Sequence, residues 1–461
     1  WYPTPQNDRL IQNFLFNPPS REDVNKWDIR ADHIFGQSDS VYYRFSYQRT
    51  YEPPSPNLPS LAFGGGGENS SIFTNDGRNM ALVWNHIFSP AVVSSTRLGW
   101  NRLYTQLLSP LDYNANAKLG LKGVEQSLAG APLFSISGVA SLGIGANIPN
   151  LVDSQTRQLI NDTTITNGGH SVKFGINLSW MQSYLSNPKE ALGNFVFNGN
   201  FTRNPVNNKG GQPFADFLLG IPFRSDVALP VYANLRTPFY HFYAQDEWRA
   251  SRKLTLNFGL RYELNLPWVE TRNRQTNYDI DTDPGIPRLV VARDGSRFDR
   301  ALVSTYRKSF APRFGFAYQL RSRTVLRGGY GIFIGAYEGT GGGRHLLGNP
   351  PHTLSVQIAT DSIRPSVVLQ DGVPADVLIP RNVKNLRLTS FEVRPKWPAS
   401  QQWNFNVQQQ FGPDVVWRPA ITAPSPTISQ LAGTPTTRCP ARATSTHGGG
   451  GSRSCIPEPA L

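Results

Sequence analysis

Apolar and polar residues alternate strictly in the second half of FYAQDEWRASRKLTLNFGLRYEL, residues 242–264. After a break at Ala250-Ser251-Arg252-Lys253, Leu254, Leu256, Phe258, Leu260 and Tyr262 alternate with Thr255, Asn257, Gly259, Arg261 and Glu263. Successive residues of a strand point to opposite faces, so a period of two predicts a strand with one greasy face and one polar face. The run from 254 to 264 spans 11 residues, about twice an ordinary strand of about 5–6 residues.

The pattern recurs along the chain. It predicts strands over residues 26–35, 41–48, 79–88, 95–105, 154–166, 170–180, 310–320, 325–335 and 402–411, with a weaker one at 194–202 (NFVFNGNFT). Short breaks join them in pairs: Gly36–Asp39, Ser89-Pro90, Asn167-Gly168-Gly169 and Arg321–Thr324. Gly, Asn, Ser and Pro at such positions are hairpin signals. Between pairs lie long segments, 53–78, 107–153, 183–237, 266–308 and 337–400, rich in Gly, Pro, Asn and Ser. Unstructured connections beyond about 12–15 residues are uncommon in compact domains. Short turns at one end and long loops at the other are the layout of an outer-membrane barrel. Strand length agrees, since a tilted strand crosses a bilayer in about 9–11 residues. Trp27, Trp84, Trp180, Tyr240, Trp248, Tyr262 and Trp403 lie near strand ends, where interfacial aromatic belts sit. A soluble sandwich would bury such residues mid-strand.

Composition narrows this reading. Of 461 residues, 11% are aromatic and 17% charged, with 41 Gly and 37 Pro, a mix that favours strands and turns over helices. No apolar run of about 18 residues occurs, which excludes a transmembrane helix. The net charge of +13 is scattered along the chain, whereas a nucleic-acid binder clusters its cations; no nucleic-acid partner is expected. Only Cys439 and Cys455 are present, so this is not a disulfide scaffold. The start, WYPTPQNDRL, has neither Met nor a signal-peptide pattern; it reads as an internal boundary and says nothing about export.

From Trp417 onward alternation stops, and Pro, Thr, Ser, Ala and Arg dominate. Residues 1–416 are therefore expected to form the barrel domain. Residues 417–461 are expected to lie outside the fold, as an out-of-frame reading or a disordered tail. Gly412-Pro413-Asp414 reads as a turn, and Val415-Val416 as the start of a return strand that stops short.

Catalytic and cofactor motifs fail on inspection. Gly329, Gly331 and Gly335 lie within an alternating strand and open no helix, against the needs of a dinucleotide fingerprint; they read as lumen-facing glycines leaving room. The glycines at 64–67 and 341–343 lack the Lys-Ser/Thr of a phosphate loop. Asp279, Asp281 and Asp283 have the spacing that opens a calcium loop, but Pro284 and Val290 stand where Gly and Glu are needed. His345 and His352 share one long segment without metal-ligand spacing. Asp246 and Glu247 are adjacent and so point to opposite faces. No enzyme, cofactor or metal is expected. What remains is the polar face itself, with Lys173, Gln245, Asn257, Arg261, Glu263, Arg313, Arg327, Asn404, Asn406 and Gln408. In a barrel these would line the lumen and tune selectivity, or bond to a plug.

The segment 242–264 resembles the signature hairpin of TonB-dependent outer-membrane receptors. HSVKFGINLSW (170–180), PFADFLLGIP (213–222), APRFGFAYQLRSRTVLRGGYGIF (311–333) and SQQWNFNVQQQFG (400–412) resemble the Oar-like branch, which carries a carboxypeptidase-regulatory-like domain. The resemblance covers roughly residues 1–416. It implies a bacterial outer-membrane location and a 22-stranded antiparallel barrel with an N-terminal plug and a TonB box. It also implies uptake of a large scarce solute, powered through the TonB complex. Neither plug nor TonB box is visible here. The fold expected is therefore all-β: a partial transmembrane barrel of about a dozen strands, embedded in outer-membrane lipid, whose solute the sequence does not name. A passive porin or adhesin barrel, and a secreted all-β carbohydrate-binding or hydrolytic protein, are the competing readings.

Overall fold

The computed structural model describes residues 2–9, 12–60, 64, 70–187, 189–279, 288–335, 346–361, 363–374, 376–379, 388–413 and 415–424. From the N-terminus, β1 (Asp23–Phe35) and β2 (Asp39–Glu52) form a hairpin, and β3 (Ile72–Ser89) and β4 (Val92–Leu108) form the next. The connection after β4 carries a short helix, α1 (Ala115–Leu119), and β5 (Leu133–Ile136). The third hairpin is β6 (Asn150–Asn167) and β7 (His170–Asn187), followed by β8 (Asn194–Phe197), α2 (Pro213–Leu218) and β9 (Arg224–Ala228). The fourth is β10 (Val231–Trp248) and β11 (Leu254–Asn265). Its outgoing connection holds β12 (Val269–Glu270), β13 (Thr276–Asp279), β14 (Arg288–Val291) and α3 (Arg297–Ala301). Then come β15 (Phe310–Arg321) with β16 (Thr324–Ile334), a short β17 (Ser355–Ala359), and β18 (Ala399–Phe411), which turns back as β19 (Val415–Trp417) and β20 (Ala420–Pro424).

The long strands form one antiparallel sheet in the order β1-β2-β3-β4-β6-β7-β10-β11-β15-β16-β18-β19, with β12 added to β10 and β20 to β18, 14 strands in all. Among the described residues β1 and β19 do not pair with each other, so the sheet is open. Every tight turn lies at one end and every long connection at the other, as the alternation predicts. The register keeps the two faces separate across neighbouring strands. Phe258 stands opposite Phe314, Phe314 opposite Tyr330 and Tyr330 opposite Trp403; the Phe258 and Phe314 ring centroids are 5.4 Å apart.

The greasy face has no second layer over it. Trp27 is 46% exposed, Leu98 51%, Phe242 45% and Leu260 48%. A soluble protein rarely leaves a contiguous apolar patch larger than a few hundred Å², so this exposure is inconsistent with a sandwich. Hydrocarbon is the solvent that such a face requires. Polar side chains that sit on it find partners there. Asp246, across from Phe258, meets His170 Nδ1 at 2.7 Å. Asn161 donates to Ser94 at 3.0 Å and to Thr96 at 2.9 Å, and Ser94 and Thr163 share a 3.0 Å bond, so these polar atoms satisfy each other.

Three expectations need correction. First, the strands are longer than their alternation. Residues 79–88 belong to an 18-residue strand, β3, and β7 and β10 also reach 18 residues. The ladder outlasts the greasy face because backbone pairing continues after the side chains become polar, at Gln182, Tyr184, Asn234 and Arg236. Second, 194–202 is not a barrel strand. Only Asn194–Phe197 is extended, and it belongs to a separate four-stranded sheet, β17-β9-β8-β5. Its alternating Phe195 and Phe197 are fully buried, against Phe134, Val227, Leu354 and Val356. Third, pairing with β18 runs past residue 416, through Trp417 and from Ala420 to Pro424. Residues 425–461, with Cys439 and Cys455, lie outside the described residues.

The long connections are therefore built structures. The four-stranded sheet draws one or more strands from each of three of them, those after β4, β7 and β16. The connection after β11 is tied down by Glu270, which has no solvent exposure. Its carboxylate accepts from the backbone N–H of Arg272 at 2.7 Å, of Arg274 at 3.0 Å and of Asn234 at 3.1 Å. Burial pushes the Glu270 carboxyl up, but these three amides and the Arg274 guanidinium together outweigh it and hold the group below its ordinary value.

Two outcomes follow for stability. Leu260→Arg, one row deeper on the greasy face than Phe258 and opposite Ala244, is expected to cost about 2–4 kcal/mol in reversible unfolding from lipid vesicles, whereas Asn257→Asp on the other face changes little. Glu270 has a lower pKa folded than unfolded, so its stabilisation is complete above the unfolded value, about 4.3, and is lost as pH falls through the lowered value. Limited proteolysis of the β11–β15 connection across this range should show that loss, and Glu270→Gln should remove the pH dependence.

Candidate functional site

The polar face can be read in register rows. One row runs Lys173, Gln245, Gly259, Arg313, Gly331 and Gln402. Toward the long loops the next row is Asp162, Gly175, Tyr243, Arg261 and Ala311. Beyond it Asn177, His241 and Glu263 are aligned. Toward the tight turns one row holds Asn257, Gly315, Gly329 and Asn404, and the next holds Ala317, Arg327 and Asn406. Gln408 faces Val325 one row further on. All the residues singled out from the sequence thus share one face.

They do not form a single cluster. Lys173, Gln245, Arg261 and Arg313 border one cavity of about 290 Å³, together with Asp162, Tyr243 and Gly259. Asn257 and Asn404 lie one row away from Arg313, and Arg327 and Asn406 two rows away. Glu263 joins the cavity wall indirectly: it accepts from Arg261 Nε at 2.5 Å. Arg261 also bonds to His241 Nδ1 at 3.1 Å, and His241 Nε2 meets Asn265 Oδ1 at 2.8 Å. Arg313 lies over the Phe333 ring, 4.7 Å from its centroid, a cation–π placement.

Glycine shapes this wall. At Gly175 an added Cβ would lie 2.4 Å from the Asn161 carbonyl oxygen and 2.7 Å from Tyr243 Cε1. Only a residue without a side chain lets the Tyr243 ring lie flat across β7 and donate its hydroxyl to Asp162 on β6. Arg97 lies 3.8 Å from the same carboxylate. The cavity lining carries three cations and one carboxylate. Asp162 is already engaged by a phenol and a guanidinium, and Arg261 is paired with Glu263, so the excess charge is that of Lys173 and Arg313. What is left is a basic, hydrogen-bonding wall suited to anions.

A family model described as an outer membrane beta-barrel domain matches residues 1–420. The chain belongs to that family. It is accordingly a protein of the bacterial outer membrane, and its greasy face is the lipid face. No curated protein matches it in sequence. Among solved structures, the outer membrane transporter YddB from Escherichia coli is similar at 12% identity and a TM-score of 0.44, over 87% of this chain and 46% of that one. The ferric-catecholate import receptor Fiu from Escherichia coli K12 is similar at 10% identity and 0.39, over 87% and 51%. The ferric yersiniabactin uptake receptor FyuA from Yersinia pestis is similar at 8% identity and 0.41, over 87% and 45%. The chain spans about half the length of these structures.

Sequence reading of the barrel's polar face missed Asp162, Tyr243, His241 and Arg97. Tyr243 was legible in principle, because it falls on the same parity as Gln245 in an unbroken strand. Its ring makes it look like a greasy residue; its hydroxyl does the work here. The weaker candidates add little. Asp281, Asp283, His345 and the glycines at 65–67 and 341–343 lie outside the described residues. Among the described residues no group of three His, Cys, Asp or Glu is placed to hold a metal ion.

Gly175→Ala is expected to destabilise the barrel by roughly 1–3 kcal/mol by overpacking, and Tyr243→Phe by roughly 1 kcal/mol through the lost hydrogen bond. In a double-mutant cycle the Tyr243→Phe effect should shrink once Gly175→Ala is present. Additive effects would mean that the two positions are independent.

Proposed function

We propose that this chain is the barrel part of a TonB-dependent, Oar-like receptor that takes up a large, scarce solute across the outer membrane. The motifs at 170–180, 213–222, 242–264, 311–333 and 400–412 support the branch, and the barrel family supports the setting. The observation that carries the reading is the basic wall of Lys173, Arg261 and Arg313 on the face turned away from lipid. In this role Lys173, Gln245, Arg261, Glu263, Arg313, Arg327, Asn257, Asn404 and Asn406 line the lumen. The excess cations of the cavity, Lys173 and Arg313, favour an anionic solute, or acidic side chains of a plug. Plug and TonB box would come from chain outside these residues, so energy coupling is assigned to the longer protein. No covalent step is needed, since passage is controlled by charge, hydrogen bonding and access.

Uptake by cells carrying the longer protein should stop when TonB is deleted or the proton-motive force is collapsed. Lys173→Gln with Arg313→Gln should lower uptake of an anionic solute about tenfold or more, as loss of charged hydrogen bonds implies, with barrel yield in the membrane unchanged. Uptake that persists without TonB would make the protein a passive porin. Recovery in the soluble fraction without detergent would remove the transport reading altogether.

A further inference from the structure

Cations gather on the lipid face as well, at the end of the sheet that carries the long loops. There one register row runs Arg78, Arg102, Gln155, Gln182 and Arg236. The next row toward the turns is Met80, Trp100, Arg157, Trp180 and Pro238. This is where the apolar band ends. Long loops mark the outer side of such barrels, so the boundary lies at the outer leaflet.

The arginines of this boundary fall into two kinds. Arg78 is neutralised by Asp76 at 2.9 Å and Arg102 by Asp153 at 2.8 Å. Arg157 and Arg236 are exposed, and among the described residues neither forms an ion pair. They border a groove of about 520 Å³ with Trp180, Gln182, Pro238 and a third arginine, Arg297. Arg297 comes from α3, and among the described residues it is fixed by neutral oxygens only. It donates to the Pro267 carbonyl at 2.6 and 3.0 Å, to Thr237 Oγ1 at 3.2 Å and to the Arg236 carbonyl at 3.4 Å. Three like charges around one groove repel each other, the more so beside a low-dielectric phase. An anion with several oxygens relieves that repulsion, and guanidinium forks match phosphate geometry. Below the groove the surface is apolar, with Trp180, Leu178 and Phe242 on the lipid face.

We propose that this groove is a binding site for a phosphate-bearing lipid of the outer leaflet, its phosphates held by Arg157, Arg236 and Arg297 and its acyl chains lying over the apolar band. The assignment rests on the membrane placement of the sheet and is independent of any uptake role. Separation of one charged groove from neutralised neighbours on the same rim is what distinguishes it from a general basic girdle.

The test is native mass spectrometry of the folded full-length chain in detergent, titrated with a diphosphorylated, multiply acylated disaccharide and with its dephosphorylated form. One lipid should bind, and removal of its phosphates should weaken binding by about tenfold or more. Arg157→Gln with Arg236→Gln should cause a similar loss, while Arg102→Gln, whose cation is already paired, should not. If the glutamine pair fails to insert, Arg157→Lys with Arg236→Lys carries the test, since it keeps charge and loses the fork. Equal binding of the dephosphorylated lipid would overturn the proposal in favour of a plain apolar patch. Displacement by inorganic phosphate at matched concentration would overturn it in favour of a soluble-anion site. Uptake measured in the same variants tells the two roles apart, because loss of lipid without loss of uptake leaves the transport reading intact.

Discussion

Backbone amides and carbonyls cannot be left unpaired in hydrocarbon, where each lost partner costs several kcal/mol. That requirement governs the molecule. Where no helix among the described residues is long and apolar enough to cross, the spanning segments must lie side by side, each pairing with the next. Once it does, residue parity becomes fate: one set of side chains meets lipid and the other meets whatever lies inside. The conserved parity across β7, β10, β11, β15, β16 and β18 is the geometric trace of this requirement. Past the bilayer the same ladders continue in water, which explains strands of 18 residues where about 9–11 would span.

Given that frame, the two faces handle charge differently. On the lipid face charges are confined to the ends of the apolar band, where they are paired, as at Arg102 and Asp153, or left to meet headgroups. On the polar face they are placed mid-strand and arranged by small residues. Gly175 is the clearest case, because its missing side chain is what lets a phenol from β10 reach a carboxylate on β6. Flatness there is a specific device, set against the crowded aromatic packing of Phe258 and Phe314 on the reverse side.

Most of the sheet was legible because period two is a local signal. Leu254 to Tyr262 shows it without any tertiary knowledge, and the Asn167-Gly168-Gly169 break shows where β6 returns as β7. Strand ends were not legible, since at Gln182 or Asn234 the pairing continues while the alternation has gone. The fate of NFVF was misread for the opposite reason. Phe195 and Phe197 alternate as cleanly as any barrel strand, but a four-residue segment carries no information on which sheet it joins. The candidate site was legible as a face and not as a cluster. Which of Lys173, Arg261, Arg313 and Arg327 share a cavity depends on register between strands, and register is a long-range property. Tyr243 was hidden by its dual chemistry.

The small sheet built by three outer connections also sets an order of events. Its parallel pair, β5 with β8, joins segments separated by the whole β6–β7 hairpin, and β17 reaches β9 across a stretch that includes β10, β11, β15 and β16. Such pairings close very long loops, which is slow until the intervening chain is already in place. The cap therefore assembles last, after the staves have inserted. It also makes the outer surface a cooperative object: lengthening or trimming one of the three connections changes the packing available to the other two, so variation at this surface is constrained to occur in concert.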